Sequence, residues 1–467
     1  MTSSVDSVLD LAQNWLAQDP DPETSAELSD LIAGTEDGNL DSRTLLERKF
    51  STRLAFGTAG IRGPLGAGPA AMNRIVVSQT TAGLASFLLS HRDDPEKRLR
   101  VVVGYDARKN SAVFARDTAE VLSGHGIEAL LTPHEVPTPV VAFAVRHLQC
   151  DAGVMITASH NPPEDNGYKV YFGGEDGGSQ IIPPVDSGIE TEITTVSQTL
   201  KFDQIPRSEA LITSTPLELL PEYIAQTVTA VAPGDLPSSA PITVYTPMHG
   251  VGGDTFIAVL EAAGLQRPIL VDEQFAPDAR FPTVAFPNPE EKGALDLAFA
   301  RARDVSADLI IAHDPDADRL AVALADSSSP AGYTSLTGNQ VGAILGWRAA
   351  DLAHKAGQSG TLANSLVSSP ALGKIAEHFG LTHQETLTGF KYVSRVPDLL
   401  FGFEEALGYL VNPGVVRDKD GISAGLAIID LANNLAREGK TLWDYLTTIE
   451  HKIGAFASSQ ITVKLED

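Results

Sequence analysis

One cysteine, Cys150, in 467 residues excludes an intrachain disulfide. So little thiol fits a reducing compartment, and a cytoplasmic location is expected. No apolar run approaches the roughly 20 residues that a helix needs to cross a bilayer. Met1 to Leu11 contains Asp6 and Asp10 and no basic stretch, so no secretory signal is expected there. Cations are scarce: 34 Lys and Arg stand against 60 Asp and Glu, a net charge of −26. That field repels nucleic acid and anionic membranes, so neither is expected as a partner. It also repels phosphorylated small molecules, so a phosphate ligand requires cations gathered locally. What is present is an ordinary globular composition, 43% hydrophobic and 20% charged. The length allows three or four domains of about 100–200 residues each.

Short aliphatic runs alternate with helical patterns, which predicts an α/β fold. Residues 1–47 read as an acidic helical extension, with Val8, Leu9, Leu11, Trp15 and Leu16 at helical spacing. Three blocks follow. In 48–212, strands over 99–104, 127–131 and 152–157 alternate with helices over 111–124 and 139–148. In 213–328, strands over 242–245, 268–271, 308–312 and 320–323 alternate with helices over 253–263 and 293–305. In 329–450, helices over 338–355 and 371–379 alternate with strands over 360–367 and 399–403. Ser- and Pro-rich stretches near 208–216 and 326–332 read as linkers. The pattern predicts three repeated α/β domains with mainly parallel mixed sheets around a central cleft. Ligands in such sheets bind beyond the strand C-termini, so three loops can converge on one site.

Each block carries a polar loop at such a position. The first runs Thr157-Ala158-Ser159-His160-Asn161-Pro162-Pro163-Glu164-Asp165-Asn166, and Lys169 follows. Two prolines fix backbone angles and stiffen the loop, which suits a reactive serine; a plain Pro/Asn turn is the alternative. The second runs His313-Asp314-Pro315-Asp316-Ala317-Asp318-Arg319. Three alternating carboxylates pinned between apolar strands repel one another, and a hard divalent cation relieves this; a solvated acidic turn is the alternative. The third contains Glu404 and Glu405, whose ionised carboxylates accept hydrogen bonds from vicinal hydroxyls. The glycine-rich Phe56 to Gly63 contains Arg62, suited to a phosphate.

These loops resemble those of the α-D-phosphohexomutase superfamily, enzymes that move phosphate between positions of a sugar. The family pattern T-[AG]-S-H-N-P-x-x-x-N-G-[YF]-K runs without departure from Thr157 to Lys169, and D-[GP]-D-x-D-R from Asp314 to Arg319. Residues 57–63 resemble G-T-[AS]-G-[LI]-R-G, and Thr388 to Lys391 resembles T-G-[FWH]-K. Arg417 to Gly421 resembles a D-K-D-G segment at a helix start. The resemblance implies a phosphotransferase in which Ser159 carries the phosphoryl group. It implies Mg²⁺ on Asp314, Asp316 and Asp318 with Ser159 completing the shell, and a sugar bisphosphate as activator. Arg62 then faces the transferring group, His160 adjoins the serine, and Lys169 and Lys391 handle protons. Glu404, Glu405, Arg319, Gly389, Arg417 and Lys419 are implied on the substrate side. The partner implied is a small sugar phosphate, on a monomer or weak dimer.

Two departures shape the expected substrate. Where the family's sugar loop reads G-E-E-S-x-G, this chain has Phe403 and Ala406. That form belongs to a branch containing phosphopentomutases, sugar-bisphosphate synthases and some phosphoglucomutases. The expected activity is transfer between the 1- and 6-positions of a hexose phosphate; pentose phosphate transfer, bisphosphate synthesis or a non-catalytic sugar-phosphate-binding remnant are the alternatives. No R-x-S-G-T-E-P loop of the family's fourth domain occurs. Residues 451–467 therefore read as a linker toward such a domain, with turnover expected to be impaired.

Overall fold

Aliphatic and β-branched residues build three sheets, each flanked by helices. The structure, a computed structural model, describes residues 2–57, 60–92, 94–232, 234 and 240–458, with side chains from residue 7 onward. Helices Thr2–Leu16, Pro22–Glu36 and Leu40–Ser51 come first. Their core of Ala12, Leu28, Ile32 and Leu46 closes against Ala67. Glu27 ties them to the first domain, accepting from Lys49 Nζ at 2.6 Å and from the Ala67 amide at 2.8 Å.

The first sheet is ordered Ile61–Pro64, Asp165–Phe172, Ala152–Ile156, Arg100–Tyr105, Glu128–Leu131, Ile212–Ser214. Its last four strands are parallel, whereas Asp165–Phe172 runs antiparallel to both its neighbours on this path. The second sheet is ordered Tyr333–Ser335, Leu320–Ala325, Leu309–His313, Thr243–Thr246, Ile269–Leu270. The third is ordered Thr382–Thr386, Thr361–Ser365, Leu399–Glu404, Gly408–Leu410. One core runs from the first domain into the third, through Phe143, Tyr223, Phe256, Leu320, Phe403 and Ile428. Among the described residues no helix is long and apolar enough to cross a membrane.

Of the two stretches read as linkers, the first contains a strand and the second is a turn within a sheet. Residues 212–214 form an edge strand beside Glu128–Leu131. Residues 326–332 form the turn between antiparallel strands Leu320–Ala325 and Tyr333–Ser335, closed by a hydrogen bond from the Asp326 amide to the Gly332 carbonyl. Ser and Pro mark turns whether or not a domain boundary is near, and the second sheet continues to Ser335, beyond residue 328. Of the stretch 451–467, residues 451–453 finish helix Leu442–Ile453, and 459–467 lie outside the described residues.

Candidate active site

Strands Ala152–Ile156 and Asp165–Phe172 are antiparallel neighbours, so the loop between them is a tight connection. Ser159 sits in it with a φ of 51°, in the left-handed region, and is 1% exposed. The Thr157 hydroxyl accepts from the Ser159 amide at 2.8 Å and fixes this bend. Ser159 Oγ donates to Asp314 Oδ2 at 2.9 Å, with His160 Nδ1 at 3.2 Å. Burial, Arg319 and Arg62 pull the His160 imidazole down to about 3, so it is neutral near pH 7.

The metal-type loop connects Leu309–His313 to Leu320–Ala325. Asp314, Asp316 and Asp318 are completely buried, and one oxygen from each lies within 4.8 Å of the others. Burial, reinforced by Asp316 and Asp318, pushes the Asp314 carboxyl well up. Burial and Asp318 also push Asp316 up, but Lys169 and Thr138 bring it below the ordinary range. For Asp318, burial is overcome by Lys169, Lys419 and Arg319, and its carboxyl lies well below. Asp316 Oδ1 and Asp318 Oδ1 are buried without a hydrogen-bond partner. An unsatisfied buried carboxylate oxygen is costly, so the triad fits a hard divalent cation. The turn is packed tightly: a Cβ on Gly250 would lie 2.4 Å from Pro315 Cα.

Lys169 faces Met155 in the strand register and reaches the same loop, with Nζ 2.6 Å from Asp316 Oδ2 and 3.0 Å from Asp318 Oδ2. Lys419, read as a substrate residue, donates to Asp318 Oδ2 at 2.8 Å. Arg319 joins two domains: its amide donates to Asp314 Oδ1 at 2.9 Å and its Nη1 to the Ala406 carbonyl at 2.9 Å. Arg62 stands opposite Gly167, with its Nε buried and unpartnered. Thr58 and Ala59 of the same glycine-rich segment lie outside the described residues.

In the third domain the Gly389 amide donates to Glu404 Oε1 at 2.7 Å. Burial raises the Glu404 carboxyl, opposed by Lys419 and that amide. Lys391 lies in the short helix Phe390–Val393. Burial lowers its ammonium, with Asp186 and Glu404 opposing. Glu405 turns toward Ser365 and Ser368, whose hydroxyls donate to its Oε2 at 3.2 and 2.7 Å. It also borders a 660 Å³ cavity shared with Glu290, Lys292 and Asn339. Arg417 reaches the end of the same short helix as Lys391: its Nη1 donates to the carbonyl of the capping Ser394 at 3.2 Å, and a Cβ on Gly177 would lie 3.8 Å from its Cγ.

Three further contributors had no strong local signal. Arg108, 4% exposed, donates to the carbonyls of Ser159, Asn161, Pro162 and Asp165. Thr138 donates to Asp316, and Ser368 holds Glu405. All three act on a carbonyl or carboxylate distant in sequence; the Asp106-x-Arg108 spacing is their only written trace.

A buried serine hydrogen-bonded to a carboxylate triad that could hold a metal ion, where three α/β domains meet, fits an enzyme of the phosphomutase type. The comparisons agree. Residues 53–200, 221–327 and 337–452 match, in order, the phosphoglucomutase/phosphomannomutase alpha/beta/alpha domains I, II and III. A Haemophilus influenzae protein named "Probable phosphomannomutase" is 50% identical over 396 residues, covering 85% of this chain and 79% of its own length. A Mus musculus phosphopentomutase is 38% identical over 468 residues, covering 94% of this chain and 73% of its own. A solved structure of the exocytosis-sensitive phosphoprotein pp63/parafusin (phosphoglucomutase) from Paramecium, in its open form, aligns with a TM-score of 0.64 at 20% identity. The alignment covers 86% of this chain and 76% of that one, a likeness of fold alone. The chain belongs to the phosphoglucomutase/phosphomannomutase family of the α-D-phosphohexomutase superfamily.

Proposed function

We propose that this chain moves phosphate between the 1- and 6-positions of a hexose phosphate, through phosphorylated Ser159 and a sugar bisphosphate. The observation that carries the reading is the 2.9 Å contact between Ser159 Oγ and Asp314 Oδ2 inside the triad. Asp314, Asp316 and Asp318 would hold Mg²⁺, which would supply neutralisation of phosphoryl charge. Arg62 adds a guanidinium on the strand beside the loop, suited to the non-bridging phosphoryl oxygens. His160, neutral and 3.2 Å from Ser159 Oγ, leaves the serine oxygen free of a competing cation. Glu404 and Glu405 offer acceptors to sugar hydroxyls, and the ammonium of Lys391, lowered by burial, suits exchange of the hydroxyl proton. Lys169 Nζ is engaged by two carboxylates, which favours a structural and electrostatic role until a ligand rearranges them. A sugar bisphosphate recharges Ser159 and so acts as activator.

The same transfer on a pentose phosphate is the second reading. Ala406 favours it, since it removes a hydroxyl from the sugar loop, and so does the similarity to the mouse phosphopentomutase. Coupled assays on glucose 1-phosphate, mannose 1-phosphate and ribose 1-phosphate, each with its bisphosphate, test both. A clear kcat/KM preference for a hexose supports the first reading and preference for ribose the second. No turnover of any of the three, with Ser159 unphosphorylated, overturns both.

A further inference from the structure

We infer that Thr138 is a positioning residue for the metal loop: from the first domain it sets which oxygen of Asp316 faces the ion. The inference rests on the reading of the triad as a Mg²⁺ site. Thr138 opens helix Thr138–His147, flanked by Pro137 and Pro139, and is completely buried. The two pyrrolidine rings restrict the backbone on both sides, so the hydroxyl starts from a fixed point.

Two bonds run from this residue to Asp316. The Thr138 amide donates to the Asp316 carbonyl at 2.9 Å, and Oγ1 donates to Asp316 Oδ2 at 2.6 Å. Lys169 Nζ donates to that same Oδ2 at 2.6 Å. Two donors therefore occupy Oδ2, while Oδ1 is buried with no partner at all. The carboxylate is thereby oriented, with Oδ1 as the oxygen left to ligate. Lys169 cannot fix this alone, because its ammonium is shared with Asp318 Oδ2 at 3.0 Å. A hydroxyl has a further merit: it orients the carboxylate without adding a positive charge that competes with the ion. Outer-shell donors of this kind typically change metal affinity about 10–100-fold when removed.

The contact also crosses a domain boundary. Thr138, Lys169 and Ser159 all come from the first domain, while the triad belongs to the second. A plain adhesive role between domains would show as lost stability with unchanged metal affinity, and the test separates the two. The full chain is stripped with chelator, and Mg²⁺ alone is titrated by calorimetry into the parent, Thr138→Val and Thr138→Ser. Melting in chelator is recorded in parallel. Valine keeps the shape and removes the donor; serine keeps the donor. The expected result is Mg²⁺ binding weakened about 10–100-fold in Thr138→Val and close to parental in Thr138→Ser. Should Thr138→Val fail to fold, Thr138→Ala removes the same hydroxyl without setting a methyl against Asp316. Parental Mg²⁺ affinity in the folded variant lacking the hydroxyl overturns the inference and leaves the metal site standing. Absence of Mg²⁺ binding in the parent overturns the metal site and the inference together.

Discussion

Arg108 Nη2 donates to the carbonyl oxygen of Ser159 at 2.7 Å. The same guanidinium reaches Asn161 at 2.6 Å, Pro162 at 2.7 Å and Asp165 at 3.1 Å, so one side chain gathers the whole serine loop. It opposes the strain of a non-glycine residue at positive φ, about 1–3 kcal/mol. Lysine cannot reproduce a planar fork. Arg108→Lys is expected to lower stability by about 3 kcal/mol, since each charge-assisted bond contributes about 1.5–3 kcal/mol. Phosphoryl incorporation should slow by about 100-fold through misplacement of Ser159. Denaturation curves and single-turnover phosphorylation measure the two effects.

Ser159→Ala should abolish phosphorylation and leave the fold intact, because the side-chain hydroxyl bonds only within the site. Peptide mass spectrometry after incubation with a sugar bisphosphate reads this directly. One phosphoryl group on the tryptic peptide containing Ser159 is expected in the parent and none in the variant. Phosphate elsewhere, or full turnover without the hydroxyl, removes the proposed carrier.

Mg²⁺ held by the folded triad, with no such site in the unfolded chain, should raise the melting temperature. At a hundredfold excess over Kd the gain is about 2.7 kcal/mol. Chelator should reverse it, and Asp316→Asn should show neither effect. A parent whose melting is unmoved by Mg²⁺ would speak against the site.

Burial pushes the Cys150 thiol up from 9.0 to about 11. The folded state thus holds its proton more tightly than the unfolded chain. The associated stability is complete below about pH 9 and is lost as pH rises toward about 11. Cys150→Ala should flatten that part of the stability profile. Native protein should resist a disulfide reagent at pH 8 and react fully once unfolded in guanidinium. Rapid labelling of the native protein would show the thiol to be exposed.

The serine and metal loops were legible because their chemistry is contiguous in the chain. Each lies between strands whose aliphatic pattern shows where it is pinned. Helix Arg74–Ser90 was not legible: Ile75 to Ala85 are buried on every side, so no amphipathic stripe marks it. Strand Thr382–Thr386 failed for the opposite reason, being a largely exposed polar edge. Arg108 and Thr138 were invisible because a lone arginine or threonine carries no sign of the carbonyl or carboxylate it will meet. Glu405 was read as a sugar ligand from its motif, and only the structure brings Ser365 and Ser368 to its Oε2.

The pairing of Asp314, Asp316 and Asp318 with Lys169, Lys419 and Arg319 has a thermodynamic consequence. Asp316 and Asp318 are held ionised by those cations while burial pushes Asp314 up, so a divalent ion and a phosphoryl dianion brought into this dry interior offset each other's charge. Linkage then requires that each raise the affinity for the other by the same factor. Phosphorylated chains should hold Mg²⁺ more tightly than dephosphorylated ones, and the same factor should set how much Mg²⁺ stabilises the phosphorylated state.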